Sequence, residues 1–409
     1  MTNSRFQYFT PALIALCLVA EADQKPSSLE FLKEVVAISS GTADLAGVNQ
    51  VQRRYEARLQ KLGFKTEYLE NPEQHTKMLV GTFKGEDPRF ITLVGHADTV
   101  FEKLNPFLLS ADGKTAQGSG VSDDKGGVIV GLAALESFLT HGKPRFSVRM
   151  VISASEETDS TGFHDLLSAF SKDSVMILGL EPSEEDGSYV ISRKGIRWYD
   201  IRVKGKEAHA GVNHQKGINA CHELAIKIDQ LQKLTDYRKG NTVSIGHIEG
   251  GKDKYNIVCG FAEAKVDSRY SDPREGQKLE NEINAILKRQ NVRSFETHEP
   301  TETEVRLLSN MPGFVVAREA LPFRKKYEEL LKQIEGRAVQ GKAAGGGADL
   351  NYMYRTGIPI LDGLGPIGGG FHTADEFIKI DSLETRAQAL AGVIQYADQT
   401  LEGAKPESK

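Results

Sequence analysis

Apolar residues recur at helical spacing over residues 28–38 (SLEFLKEVVAI) and again over 48–62, where Gly63 stands at the place of a C-cap glycine. Short β-rich runs follow at 66–69, 78–83 and 90–94. Residues 126–139 (GGVIVGLAALESFL) are apolar on nearly every side, which predicts a buried helix. Runs at 146–153 and 175–180 predict further strands. Helices alternating with short apolar strands predict an α/β domain with a mostly parallel sheet and helices on both faces.

From about Lys194 the pattern changes. Residues 196–203 (IRWYDIRV) alternate as a half-buried strand does. A helix over 214–234, strands at 242–248 and 261–268, and a helix over 277–289 follow. That order predicts a smaller inserted α+β unit of the split, ferredoxin-like type. After Pro300 the first pattern resumes, with helices at 322–336 and 383–401 and a strand at 358–361. The expected organisation is an α/β domain in two parts, 23–193 and 306–409, interrupted by 194–305.

Residues 1–22 read as a signal peptide. Arg5 precedes an apolar run over 9–20 that only Thr10 and Pro11 interrupt, and Ala20-Glu21-Ala22 has the small-x-small form of a cleavage site. That reading places the mature chain in the periplasm or outside the cell. The competing reading is an ordinary N-terminal helix on a cytoplasmic protein. Cys17 is a poor lipidation site, because Leu16 stands where a small residue is expected. No stretch approaches the roughly 18 apolar residues of a membrane span. With 51 Lys+Arg against 56 Asp+Glu the net charge is −5, so bulk charge gives no reason to expect a nucleic-acid partner. Three cysteines, none in a C-x-x-C pair, make no disulfide framework; Cys221 and Cys259 are expected as buried small hydrophobes, and Trp198 as a core or interface residue.

The candidate chemistry gathers where strands end. His96 and Asp98 follow the run at 90–94, Glu156 and Glu157 follow 146–153, and Glu181 follows 175–180. Asp123 precedes the buried helix, and a glycine-rich loop after 358–361 leads to His372. Open α/β sheets bind ligands outside the carboxyl ends of their strands. Taken singly, each acid would be a solvated surface residue; five potential metal ligands arriving at such ends are a convergence. Oxygen and nitrogen donors without thiolates suit zinc, manganese or cobalt at a hydrolytic site. In an extended segment residues i and i+2 face the same way, so Asp98 can sit behind His96 and accept its second ring N–H. Adjacent Glu156 and Glu157 point apart, so one can bind metal while the other serves as a base.

These segments resemble the co-catalytic zinc hydrolases that include aminoacylases, succinyl-diaminopimelate desuccinylase and glutamate carboxypeptidase. The strings are Gly95-His96-Ala97-Asp98-Thr99-Val100, Gly118 through Gly127 (GSGVSDDKGG), Glu156-Glu157, Glu181-Pro182, Lys206 through Gly211 (KEAHAG), Gly345 through Asp349 (GGGAD) and Phe371-His372. Within that family the glutamate carboxypeptidase branch is the most similar. The resemblance implies two zinc ions per subunit, with cobalt or manganese as substitutes: one on His96, Asp123 and Glu181, the other on Asp123, Glu157 and His372. It implies Glu156 as general base and acid, Asp98 as the orienter of His96, and His209 as the group that stabilises the oxyanion. It implies Asn256 and Arg269 as substrate holders, a peptide or acyl-amino-acid substrate, and a homodimer formed through an inserted lid and dimerisation domain. Three departures stand out: Ser155 where Asp or Asn is usual, Thr158-Asp159-Ser160 where x-Gly-Ser is frequent, and a loop at 365–370 that only approximates the usual glycine-rich form. The alternatives are an N-acyl-amino-acid deacylase or desuccinylase of the same family and, more remotely, a binding protein of this fold without catalysis.

Overall fold

A computed structural model describes residues 27–71, 75–315 and 317–401. The signal-peptide reading and Cys17 lie outside the described residues. The larger unit is built on a six-stranded sheet in the order Lys65–Glu70, Lys77–Phe83, Phe146–Ser153, Asp87–His96, Ser174–Gly179 and Ile360–Leu361. Helices cover both faces. Leu79, Ile91, Leu93, Val148 and Met150 pack with helices Leu45–Lys61, Lys125–Leu139 and Asp381–Thr400. The intervening Met78, Val80, Val94 and Val151 pack with helix His164–Lys172 and with Leu350 and Met353. This alternation is the two-sided burial that continuous apolar runs encode, and Phe146–Ser153 is buried at every position.

The sheet is mixed rather than mostly parallel along its whole width. The three pairs from Phe146–Ser153 through Ile360–Leu361 are parallel, but Lys65–Glu70 and Lys77–Phe83 run antiparallel to their neighbours. Six residues separate those two strands, too few for a crossover, so the chain must reverse on itself.

The inserted segment forms its own antiparallel sheet in the order Thr242–Gly250, Phe261–Tyr270, Gly195–Lys204 and Glu302–Met311. Helices Ala220–Gln232 and Pro273–Lys288 cover one face, with Tyr199, Ile201, Val203, Leu224 and Ile283 in a core of their own. The apolar alternation does not announce the last strand, whose side chains are mostly exposed. That strand pairs with Gly195–Lys204 as far as Met311, so the boundary expected at 305 falls inside it. The helix expected from His214 begins at Ala220, where the Asn219 side chain accepts from the His222 N–H and caps the first turn.

The cysteine reading needs correction. Cys221, in the first turn of helix Ala220–Gln232, is disulfide-bonded to Cys259, just ahead of strand Phe261–Tyr270, with their Cα atoms 5.7 Å apart. Nothing local encodes a pairing 38 residues apart; it arises because this helix packs on this strand. On the chain-entropy account a cross-link of that span is worth about 4 kcal/mol. The double variant Cys221→Ser, Cys259→Ser should therefore lower the urea midpoint of unfolding markedly. A loss below about 1 kcal/mol would show that packing alone holds these segments together.

Candidate metal centre

Strand Asp87–His96 delivers His96 fully buried at its carboxyl end. The His96 Nδ1 lies 3.0 Å from the Asp98 main-chain oxygen and 3.3 Å from Asp98 Oδ1. A proton on Nδ1 then satisfies Asp98 and leaves the Nε2 lone pair free to ligate. Asp98 does more than its spacing suggests. Its carboxylate also accepts the main-chain N–H groups of Glu156 and Glu157, at 3.2 Å each, and the Thr42 hydroxyl at 2.7 Å. One buried carboxylate thus ties the His96 ring to the turn that carries the paired glutamates.

Asp123 stands between the two histidines. Its Oδ1 is 3.1 Å from His96 Nε2 and its Oδ2 is 3.2 Å from His372 Nε2. Glu181 Oε1 lies 3.8 Å from His96 Nε2, and Glu157 Oε2 lies 3.4 Å from His372 Nε2. Two donor groups result, His96–Asp123–Glu181 and Asp123–Glu157–His372, each with its ligand atoms within 4.8 Å of one another. Glu156 belongs to neither; its Oε2 is 4.0 Å from His96 Nε2, facing the same cleft. The cleft encloses about 220 Å³.

Electrostatics test whether cations fit here. Burial, reinforced by Asp123, pushes the Glu157 and Glu181 carboxyls up to about 8. Burial and the neighbouring Glu181 carry Glu156 well above the ordinary carboxylate range. His372 is raised to about 9, chiefly by its hydrogen bond to Asp123. Burial opposes charge on His96, but the Asp123 and Asp98 carboxylates outweigh it and raise the ring well above its usual value. Three glutamates and two imidazoles packed this way hold protons tightly, while hydrogen bonds from His372 and His96 keep Asp123 below the ordinary carboxylate range; divalent cations would displace those protons. The donor chemistry therefore fits a metal centre of hard and borderline ions.

Several contributors escaped the sequence reading. Buried Asp124 accepts the His96 main-chain N–H at 3.2 Å, and buried Asp349 accepts from the Ser153 hydroxyl at 2.7 Å. Arg193 donates through Nε to Asp362 at 2.5 Å and through Nη1 to the Gly347 carbonyl at 3.3 Å, with Nη2 3.7 Å from Glu181 Oε2. Asp349 closes the GGGAD string and could have been suspected; Arg193 and Asp362 carry no local signal. Two of the three departures also find physical reasons. Asp159, where the resemblance leads one to expect glycine, takes a left-handed conformation at φ 72°. Its carboxylate accepts from the Tyr352 hydroxyl at 2.5 Å, which holds the turn after Glu157. In the last loop, a Cβ on Gly365 would lie 2.4 Å from the Leu180 carbonyl oxygen, so only glycine can pass there beside Glu181.

The three candidate residues of the inserted unit are placed differently. His209 and Asn256 are neighbours on exposed loops: the Ala210 N–H donates to the Asn256 carbonyl at 2.9 Å, and His209 bridges to Ile257. Neither lines the metal cleft. Arg269 stands at the cleft margin. Asp267 accepts from its Nε at 3.0 Å, and its Nη1 donates to the carbonyl of Gly345, which lines the cleft, at 2.8 Å. Trp198 is not a core residue; it is 38% exposed on the single chain and its indole N–H donates to Asp267.

A mixed α/β sheet with His–carboxylate groups clustered at its strand ends is the arrangement of a metal-dependent hydrolase. The chain belongs to peptidase family M20/M25/M40, whose pattern matches residues 92–396. It is 26% identical over 382 residues to carboxypeptidase G2 of Pseudomonas sp. (strain RS-16), covering 92% of this chain and 90% of that protein. It is 27% identical over 384 residues to succinyl-diaminopimelate desuccinylase of Marinobacter nauticus, covering 88% of this chain and 96% of that one. Among solved structures, a tripeptidase from Staphylococcus aureus superimposes with a TM-score of 0.75 at 22% identity, over 91% of this chain and 98% of the other. An M20 family metallo-carboxypeptidase from Sulfolobus solfataricus does so at 0.70 and 17% identity, over 91% and 100%. These two likenesses speak for the fold.

Proposed function

We propose that the chain is a zinc carboxypeptidase of the glutamate carboxypeptidase type, which hydrolyses an amide or peptide bond and releases a C-terminal amino acid such as glutamate. The observation that carries this reading is Asp123, shared by two His–carboxylate groups within one cleft. His96, Asp123 and Glu181 would hold one zinc ion; Asp123, Glu157 and His372 would hold the other. Zinc bound there supplies Lewis acidity and brings a water's pKa down to about 7.

The chain's own residues do the rest. Asp98 fixes the His96 tautomer. Glu156 takes the proton of the attacking water as it adds to the amide carbon, then passes it to the leaving amine, so acid and amine leave with water's atoms shared between them. His209 donates a hydrogen bond to the developing oxyanion, reaching the cleft by movement of the inserted lid unit or from the second subunit of a homodimer formed through that unit. Arg269, already at the cleft margin, suits the substrate's terminal carboxylate, with Asn256 beside the His209 loop as a further holder. We read the protein as exported, because the 1–22 segment has signal-peptide form and the Cys221–Cys259 disulfide suits an oxidising compartment.

A second reading is an N-acyl-amino-acid deacylase, favoured by the likeness to desuccinylases. A screen of peptidyl- and acyl-amino acids in the presence of zinc separates the two. We expect a freed C-terminal amino acid, glutamate foremost; release of acetate or succinate with no cleavage of peptidyl-glutamate would assign the deacylase instead.

A further inference from the structure

We propose that Glu376 is the positioning residue of the second cation site, clamping the segment that carries His372 onto the segment that carries Asp123. The inference rests on the two-cation reading above and assigns the residue that keeps half of it in shape.

Glu376 is 1% exposed. Its carboxylate accepts three main-chain N–H groups from one loop: Gly120 at 3.1 Å on Oε2, and Ser122 at 2.8 Å and Asp123 at 3.0 Å on Oε1. The loop turns tightly, with Gly120 at φ 70° and the Val121 N–H on the Gly118 carbonyl at 3.1 Å, so its N–H groups converge on a single anion. The anion is supplied by the chain itself, from about 250 residues further on. Each bond to a charged acceptor is of the stronger kind, and the last of them is made by Asp123's own main chain.

At its other end the clamp sets His372. Three residues separate His372 from Glu376, and the segment between them is folded back: the Thr373 N–H donates to the Gly370 carbonyl and the Glu376 N–H to the Thr373 carbonyl, at 3.1 and 3.2 Å. Strand Phe377–Lys379 then pairs with Thr115–Gln117. His372 itself has little to hold it. Its backbone is left-handed at φ 62°, its side chain is 56% exposed, and its ring meets the Asp123 and Glu157 carboxylates. The two cation sites are thus supported unequally. His96 is buried at a strand end and backed by Asp98, whereas His372 depends on a turn whose anchor is Glu376.

The test compares wild type with Glu376→Gln by titrating metal-free protein with zinc and counting ions bound per chain. It adds the melting temperature of each metal-free protein. The amide keeps the side-chain volume but puts an NH₂ group against one of the three N–H donors. Wild type should take up two ions. The variant should bind the first as wild type does and the second about 10- to 100-fold more weakly, the usual cost of losing a partner behind a metal ligand. It should recover the second ion at high zinc, with its metal-free melting temperature little changed. Should the amide variant fail to accumulate, Glu376→Asp keeps the charge, withdraws it by one methylene and gives the same readout. Two ions bound as tightly as in wild type would overturn the role of Glu376 alone. So would parallel weakening of both ions together with a lower metal-free melting temperature, which marks a general packing residue. Fewer than two ions on wild type would overturn the two-cation reading, and this proposal with it.

Discussion

Glutamine in place of Glu156 is expected to lower kcat by about 10²–10⁴-fold, the range over which a positioned proton carrier contributes, while the zinc content stays at the wild-type value. The two parts of the expectation come from different features of the site. Glu156 lies outside both donor groups, so removing its charge takes away no ligand. It nevertheless shares the cleft with them, 4.0 Å from His96 Nε2, and the Glu156 N–H that fixes its turn donates to Asp98 and survives the substitution. The amide has nearly the same volume and cannot take a proton from water near neutral pH. Single-turnover kinetics with metal analysis on the same sample provide the check. Turnover within a few-fold of wild type would remove Glu156 from the mechanism, and loss of zinc would make it a ligand.

The adjacent pair also shows what a sequence can and cannot disclose. That Glu156 and Glu157 diverge follows from their being neighbours at a strand's end, and the H-x-D spacing placed Asp98 behind His96 because side-chain direction in an extended segment is a local matter. The strands that carry the donors were legible for a similar reason: full burial leaves continuous apolar runs. What stayed hidden depends on contacts between distant segments. Glu302–Met311 is a strand only because Gly195–Lys204 offers it an edge, and its exposed side chains leave no apolar pattern. Cys221 meets Cys259 through the packing of a helix on a sheet. The anchoring role of Glu376 and the contact of Arg193 with Asp362 belong to chain crossings more than 160 residues apart in sequence. A carboxylate that holds three peptide N–H groups has no spacing rule to betray it.

His209 is where placement and assigned role pull apart, and so its substitution is informative. The residue is exposed, on a loop of the inserted unit, and outside the cleft that holds the metal donors. His209→Ala should therefore leave the zinc content and the melting temperature as they are. An oxyanion donor is worth about 10²–10³ in kcat, and a loss of that size with KM little changed is the expected result. Loss of zinc in proportion to activity would instead make His209 a structural residue. The route by which it reaches the cleft follows from mixing variants. In a dimer of one His209→Ala chain and one Glu156→Gln chain, the first keeps an intact base and the second an intact histidine. If the histidine crosses the dimer, that pair has one complete site, and random exchange of equal amounts returns about a quarter of wild-type activity, since half the dimers are mixed and each has one of two sites. We expect that recovery, because among the described residues of the single chain His209 does not line the cleft of the metal donors. Mixed chains no more active than their parents would place the histidine in its own subunit's cleft, delivered by closure of the inserted unit.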